Sequence, residues 1–225
     1  MNKHLLPYDI YERHRRVAEF IDKDDTVLDV GGELNHLAQF TKPKKILVAN
    51  LNTGDVIIKK NNLPFSQNSF DIVCAIDVLE HIPRNERKPF IIRLLGIAKK
   101  GVILSFPVGT SHHVSYEKKM QKYLENKKID VTYLKEHIRY GLPQNDEIKK
   151  DLKGLQMDYS FSGNITLNEY LFKVFIFDPK IKFLRRIIYY LKLLLNLITN
   201  PILYNILSKK SYSEDVNREY LVIFK

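Results

Sequence analysis

The sequence predicts an α/β domain built on a parallel sheet with helices packed over it. Three observations lead there. Short apolar runs, TVLDV (26–30), KILVANL (45–51), FDIVCAIDVL (70–79) and GVILSFP (101–107), alternate with stretches of helical periodicity. Strands buried on both faces read as such unbroken runs, and parallel neighbours need a crossover between them. The first run stops at Gly31-Gly32, a tight strand-to-helix turn. The composition is globular: 225 residues, 44% hydrophobic and 28% charged, enough for one decorated domain or two small ones and unlike a disordered chain.

The elements follow in order. Residues 8–21 place Ile10, Val17, Phe20 and Ile21 at helical spacing. After the strand at 26–30, a helix is expected from about Leu34 to Phe40, then a strand at 45–51. The turn signal SQNS precedes a third strand within 70–79. Residues 84–98 carry a helical stripe of Phe90, Ile91, Leu94, Leu95 and Ile97, and Pro107 closes the fourth strand. Residues 107–135 are long for a loop, and EKKMQKYLENKK places a helix there. PQNDEIKKDLKGL (143–155) has a helix's acidic first turn. MDYSFSG (157–163) and REYLVIFK (218–225) read as strands. This divides the chain into a core at 1–164 with a substrate insertion at about 107–142, a basic hydrophobic helical insertion at 165–214, and a last strand at 215–225.

Charge is unevenly placed. Lys and Arg number 36 against 26 Asp and Glu, a formal +10. Residues 165–210 hold eight positives against Glu169 and Asp178, hence +6 of that total in one fifth of the chain. Such a balance suits nucleic acid, an anionic membrane surface or phosphorylated substrates. No zinc-finger spacing or RNP-like aromatic motif accompanies it, so nucleic acid is not favoured. Residues 167–207 include FLRRIIYYLKLLLNLITNPILYNIL (183–207), an apolar run broken by Lys192, Asn196 and Pro201. With no uninterrupted apolar stretch of about 18 residues, a spanning helix is not expected. A helix lying in an anionic membrane interface is, and a core helix or an oligomer face fits the same run. The segment MNKHLLPYDIYERHRR lacks an apolar h-region, so no secretory signal is expected. The single cysteine, Cys74, excludes an internal disulfide and a multi-cysteine zinc site and fits a reducing compartment. The expected location is cytoplasmic and peripheral at the inner face of the membrane.

VLDVGGELNHLAQF joins a strand, a glycine turn and a helix, an arrangement that brings a ligand close to backbone. Followed in order by ILVANLN, by LPFSQNSFDIVCAIDVLEHIP (63–83) and by GVILSFP, it resembles the class I S-adenosylmethionine-dependent methyltransferases over roughly residues 20–107. A looser likeness runs through YLKEHIRYGLP (133–143) and the last strand. The resemblance implies a Rossmann-like doubly wound, mostly parallel seven-stranded sheet with helical insertions, S-adenosylmethionine as cofactor, and methyl transfer; the membrane-compatible segment at 183–207 motivates a small-molecule or lipid-linked acceptor, such as a glycan precursor. It implies a cofactor site of Asp29, Gly31, Gly32 and Glu33 at the turn, Asn50 at the end of the second strand, Leu63, Pro64 and Phe65 near the adenine, and Asp77 and Val78 beside the methionine and adenosine groups.

The chain departs from that family where the turn reads Asp29-Val30-Gly31-Gly32-Glu33-Leu34-Asn35 instead of D/E-x-G-x-G-x-G, and where Asn50 stands for the acid that binds the ribose. An amide bonds a hydroxyl without the charge that strengthens the bond, so Asn50→Asp is expected to tighten binding. Lys59, Lys60, Asn61 and Asn62 also replace an acid before LPF. These departures keep a non-catalytic scaffold as the rival reading. A nucleic-acid methyltransferase is a second rival, against which the site runs DVLEHIP with no NPPY-like tetrapeptide.

Transfer to oxygen needs a base as well as alignment. His81, His113 and His137 are the candidates, with Glu117 and Glu136 as partners and His112 alongside. The insertion at 107–142 is expected to close over the acceptor. No metal site is expected: His113, Glu117 and His137 are suitable ligand types, but their spacing supports only an i, i+4 pair. The oligomeric state stays open.

Overall fold

The computed structural model describes residues 2–59 and 62–225; the sequence expectation for Lys60 and Asn61 lies outside the described residues. Seven strands form one sheet: β1 Thr26–Val30, β2 Lys45–Asn50, β3 Val56–Ile57, β4 Phe70–Ile76, β5 Ala98–Pro107, β6 Met157–Ser162 and β7 Arg218–Phe224. Their spatial order is β3-β2-β1-β4-β5-β7-β6. The first five are parallel. β7 runs antiparallel between β5 and β6. This is the mostly parallel, doubly wound seven-stranded sheet that the resemblance implies, with the parallel strands at its centre that the apolar runs predict.

Alternation across the pleat separates two cores. Leu28, Val73, Leu104 and Leu221 point to one face, where α2 (Arg84–Ile97) buries Phe90, Ile91 and Leu94 and α5 (Asn145–Asp151) adds Ile148. Val27, Cys74, Ile103 and Tyr220 point to the other, where α1 (Tyr8–Ala18) delivers Val17. Cys74 sits in the middle of β4, opposite Asp29 of β1 and Ile103 of β5, with no exposed surface.

Three local expectations change. The helix from Leu34 to Phe40 shrinks to a single 3-10 turn at Leu37–Gln39. Asn35 takes a left-handed φ of +67°, which interrupts a helix before it can nucleate, and Pro43 leaves no room beyond. The two-residue β3, too short for any periodicity, escapes sequence reading. The stretch after β5 holds two helices, α3 (Ser111–Asn126) and α4 (Thr132–Tyr140). Thr110 caps α3 by accepting the His113 amide at 3.1 Å, and Gly141 ends α4 at φ +74°.

Between β6 and β7 lie α6 (Ile165–Ile176) and α7 (Lys182–Leu207). By length and composition α7, 26 residues long, could cross a membrane; the uninterrupted-run criterion does not register it because Lys192, Asn196 and Pro201 break the run. Its few buried residues explain how it attaches. Asn200 donates to the carbonyls of His4 and Leu6 at 3.0 and 2.9 Å, and Asn196 to that of Leu5 at 3.0 Å. Tyr204 packs edge-on against Tyr11 of α1. Lys192 folds back on the end of α6, donating to the carbonyls of Phe175 and Phe177 at 2.5 and 2.6 Å. Two of the residues that break the apolar run thus help to fasten α7, Asn196 to the segment before α1 and Lys192 to the end of α6. Beside these contacts and the packing of Ile165, Phe172 and Ile176 on α3 and α4, Phe175, Phe177, Phe183, Leu191 and Leu194 are exposed.

Candidate cofactor cleft and histidine pair

A cavity of about 520 Å³ opens at the carboxyl ends of β1, β2 and β4, with Gly31, Asn50, Leu63, Asp77, Val78 and His81 among its lining residues. Ligands bind open parallel sheets at such a place, and the volume suits a small-molecule site.

The glycine turn is shaped by its neighbours. Gly31 has φ +80°, and a Cβ there would come within 2.5 Å of Val78 Cγ2. A Cβ on Gly32 would meet the Asp29 carboxylate at 2.1 Å. The two glycines thus let β1 turn over its own buried acid and under the wall of β4. Asp29 is fully buried, and neither carboxylate oxygen has a hydrogen-bond partner among the described residues. Burial pushes its carboxyl up to about 7. An orphaned acid beneath a glycine turn, behind the Val30 and Gly31 that line the cleft, is a place for a donor such as the ammonium end of an amino-acid-like cofactor or a bridging water. The residues present fit the methionine end of S-adenosylmethionine.

Asp29 also has a consequence for stability. Its native carboxyl holds its proton to about 7 against an ordinary 3.8, so the native chain binds the extra proton between those values. Its contribution is therefore present at the acid end and lost as pH rises through 7. Wild type should lose denaturant resistance relative to Asp29→Asn across that window. Parallel pH profiles of the two proteins would remove the assignment.

Asn50 is committed elsewhere than the sequence reading expects. Its Nδ2 donates to the carbonyls of Gly31 at 3.1 Å and Gly32 at 2.8 Å, while its Oδ1 accepts the Leu51 amide at 2.6 Å. It holds the turn in shape and leaves one Oδ1 lone pair for a ribose hydroxyl. A carboxylate cannot donate to two carbonyls, so Asn50→Asp should loosen the turn by about 1–3 kcal/mol and weaken cofactor binding. Calorimetry that shows tightening instead would restore the simpler ribose-ligand reading.

Asp77 closes β4 in a left-handed conformation (φ +55°), and its amide donates to the Ser105 carbonyl at 2.8 Å. Its carboxylate is gripped by Arg13 of α1 at 2.5 Å and by Arg218 of β7. Burial alone would raise this carboxyl; the two guanidiniums outweigh it and hold it well below the ordinary range. Val78 and Leu63 also line the cleft. Pro64 is exposed and outside the lining, Phe65 packs edge-on against Phe70, and Glu33 is an exposed side chain 3.8 Å from His36.

Of the three candidate histidines, two meet. His81 and His137 face each other through Nε2 at 3.4 Å, although 56 positions apart. Each has a carboxylate behind it: Glu136 at 2.7 Å from His81 Nδ1 and Glu117 at 2.7 Å from His137 Nδ1. Burial depresses the His137 imidazole, but the hydrogen bond and charge of Glu117, with Glu80 and Asp77, outweigh it and the net shift is upward. Burial, with the charge of Asp77, raises the Glu80 carboxyl to about 8. The buried Arg87 joins the backbone on both sides of the pair, donating to the Leu79 carbonyl at 3.0 Å and to that of Gly141. His113 stands apart. It donates from Nδ1 to the Val108 carbonyl at 3.0 Å, and burial together with the charge of Arg218 lowers it to about 3, so it is neutral. His112 pairs with Asp215 at the surface. Sequence reasoning misses Arg13 and Arg218 because nothing local distinguishes them from other basic residues.

Sheet order, glycine turn and cleft together define a Rossmann-like domain of the kind that holds a nucleoside cofactor at its central strands. Residues 17–106 match the family described as methyltransferase domain, in line with the resemblance that the sequence motifs carry. Solved structures agree in fold. An S-adenosylmethionine-dependent methyltransferase from Archaeoglobus fulgidus superposes with a TM-score of 0.56 at 13% identity, covering 97% of this chain and 94% of its own. A cyclopropane-fatty-acyl-phospholipid synthase-like protein from Lactobacillus casei gives 0.53 at 11% identity, covering 96% and 92%. Haemonchus contortus phosphoethanolamine N-methyltransferase 2, bound to phosphomonomethylethanolamine and S-adenosylhomocysteine, gives 0.53 at 14% identity, covering 93% of this chain and 51% of its own. No curated protein sequence matches the chain.

Proposed function

We propose that the chain methylates a small or lipid-linked acceptor met at an anionic membrane face on the cytoplasmic side, with the α6–α7 hairpin seated in the interface. The bound cofactor supplies an electrophilic methyl group. The glycine turn and Asp29 would hold its amino-acid end, Asn50 and Leu63 its nucleoside, and Val78 and the histidine pair would wall the acceptor side against water.

One observation supports the membrane reading: an exposed apolar face on α6 and α7, flanked by Lys180, Lys182 and Arg186, sits on a helix whose other side is bonded to the domain. Those amide bonds to residues 4–6 favour a helix lying along the surface over one crossing the bilayer. Burial of apolar surface contributes about 25 cal/mol per Å² and each basic residue near anionic headgroups about 1 kcal/mol. The protein should float with anionic liposomes, less so as salt rises. Lys182→Glu with Arg186→Glu should release it; Arg185 is a poorer choice because it pairs with Asp178 at 2.9 Å. A wild type that ignores vesicles and self-associates through this face would end the lipid-linked reading. Calorimetry with S-adenosylhomocysteine tests the cofactor separately, and absent binding would favour a non-catalytic scaffold.

A further inference from the structure

The histidine pair has a property that a general-base role does not explain. Each Nδ1 is occupied by a carboxylate at 2.7 Å, so the neutral form of each ring carries its proton there and turns a lone pair outward at Nε2. Those two lone pairs point at each other across 3.4 Å. Two acceptors so placed repel unless a cation lies between or beside them. Next to them is Glu80, 1% exposed, whose Oε2 has no hydrogen-bond partner among the described residues. One ligand atom from each of Glu80, His81 and His137 lies within 4.8 Å of the other two.

We propose that Glu80, His81 and His137 form a divalent transition-metal site on the wall of the cleft. Two imidazole nitrogens and one carboxylate oxygen suit zinc and the neighbouring divalent metals, and three protein ligands leave a coordination position open. Glu136 and Glu117 supply what such sites carry behind their histidines, a carboxylate that fixes the tautomer and raises ligand basicity. His81 and Glu136 line the cavity while His137 and Glu117 are buried behind them, so the open position faces the cleft, where an oxygen or nitrogen of the acceptor can enter it. The lone pair on His81 Nε2 can serve as a base or as a ligand but not both, and its convergence with His137 assigns it to the metal. The site goes beyond the methyl-transfer reading and does not depend on which acceptor is used.

The full-length protein is stripped with chelator and titrated with Zn²⁺ by calorimetry and with Co²⁺ by visible absorption. Saturable binding at one site is expected, with a Co²⁺ spectrum of low coordination number. His137→Ala and Glu80→Gln should each weaken binding, and Glu117→Gln should weaken it by about 10–100-fold through the ring it orients. His81→Cys gives a positive readout that does not rely on loss: a thiolate-to-Co²⁺ charge-transfer band should appear. The native Cys74 cannot supply it, being buried in β4. No saturable binding by the folded wild type, or binding that the three loss variants leave unchanged and that gives no thiolate band in His81→Cys, would overturn the proposal and leave a proton as the shared species between the rings.

Discussion

Gly31→Ala should cost the domain its cofactor. A residue with a Cβ at φ +80° pays roughly 1–2 kcal/mol for the left-handed conformation, and this Cβ would lie 2.5 Å from Val78 Cγ2, an overpacking that adds about 1–3 kcal/mol. The strain falls on the turn that Asn50 holds and that floors the cleft, so it is relieved by moving the cofactor's binding surface. Affinity for S-adenosylhomocysteine should fall by about 100-fold or more, at 1.4 kcal/mol per tenfold. Gly31→Arg should abolish binding, since a long side chain must cross the cleft. Val78→Ala in the Gly31→Ala background removes the clash and leaves only the backbone cost. Partial recovery in the double variant is the diagnostic result. Unchanged affinity in a folded Gly31→Ala protein would show that the ligand lies elsewhere.

Arg218→Met should be the most destabilising change at the site. Arg218 is buried, binds Asp77, and also donates to Ser105 Oγ at 3.2 Å. Removing one partner of a buried ion pair strands the other, at about 3–5 kcal/mol. Arg13 remains on Asp77 and keeps the loss towards the lower end. Urea titrations of Arg218→Met, Asp77→Asn and the double variant form a cycle; the double should lose less than the two singles summed. Strict additivity would mean that the pair stabilises nothing. Because Arg218 arrives from β7 and Arg13 from α1, this contact ties the last strand and the first helix to the end of β4.

What the sequence made legible divides along physical lines. The central strands were readable because burial on both faces demands continuous apolar runs, and the α2 stripe from Phe90 to Ile97 because a helix covering a sheet repeats with its own period. The glycine turn and DVLEHIP placed the cleft on β1 and β4. What escaped were contacts across the sheet. Arg218 and Asp77 are 141 positions apart, and His81 and His137 are 56 apart; no local pattern encodes such encounters. Asn50 shows a further limit. Its place at the end of β2 was legible, whereas the commitment of its amide to two carbonyls depends on the shape of the turn. The helix expected at 34–40 failed on one left-handed asparagine. Lys192 is an ordinary solvated charge in sequence and a clasp for two carbonyls in the fold.

The position of Cys74 supplies a clock. The thiol lies in β4 between β1 and β5, and burial, with the nearby Asp29 and Asp25 carboxylates, pushes it well above its ordinary value. It is the chain's single sulfhydryl, so an alkylating reagent has one target and reaches it only when the centre of the sheet parts. When closing outruns alkylation, the labelling rate measures the fraction of molecules in which those strands are parted, independently of fraying at the helical surface. The same flask can then report whether a ligand in the cleft lowers the population in which the strands that carry it are open.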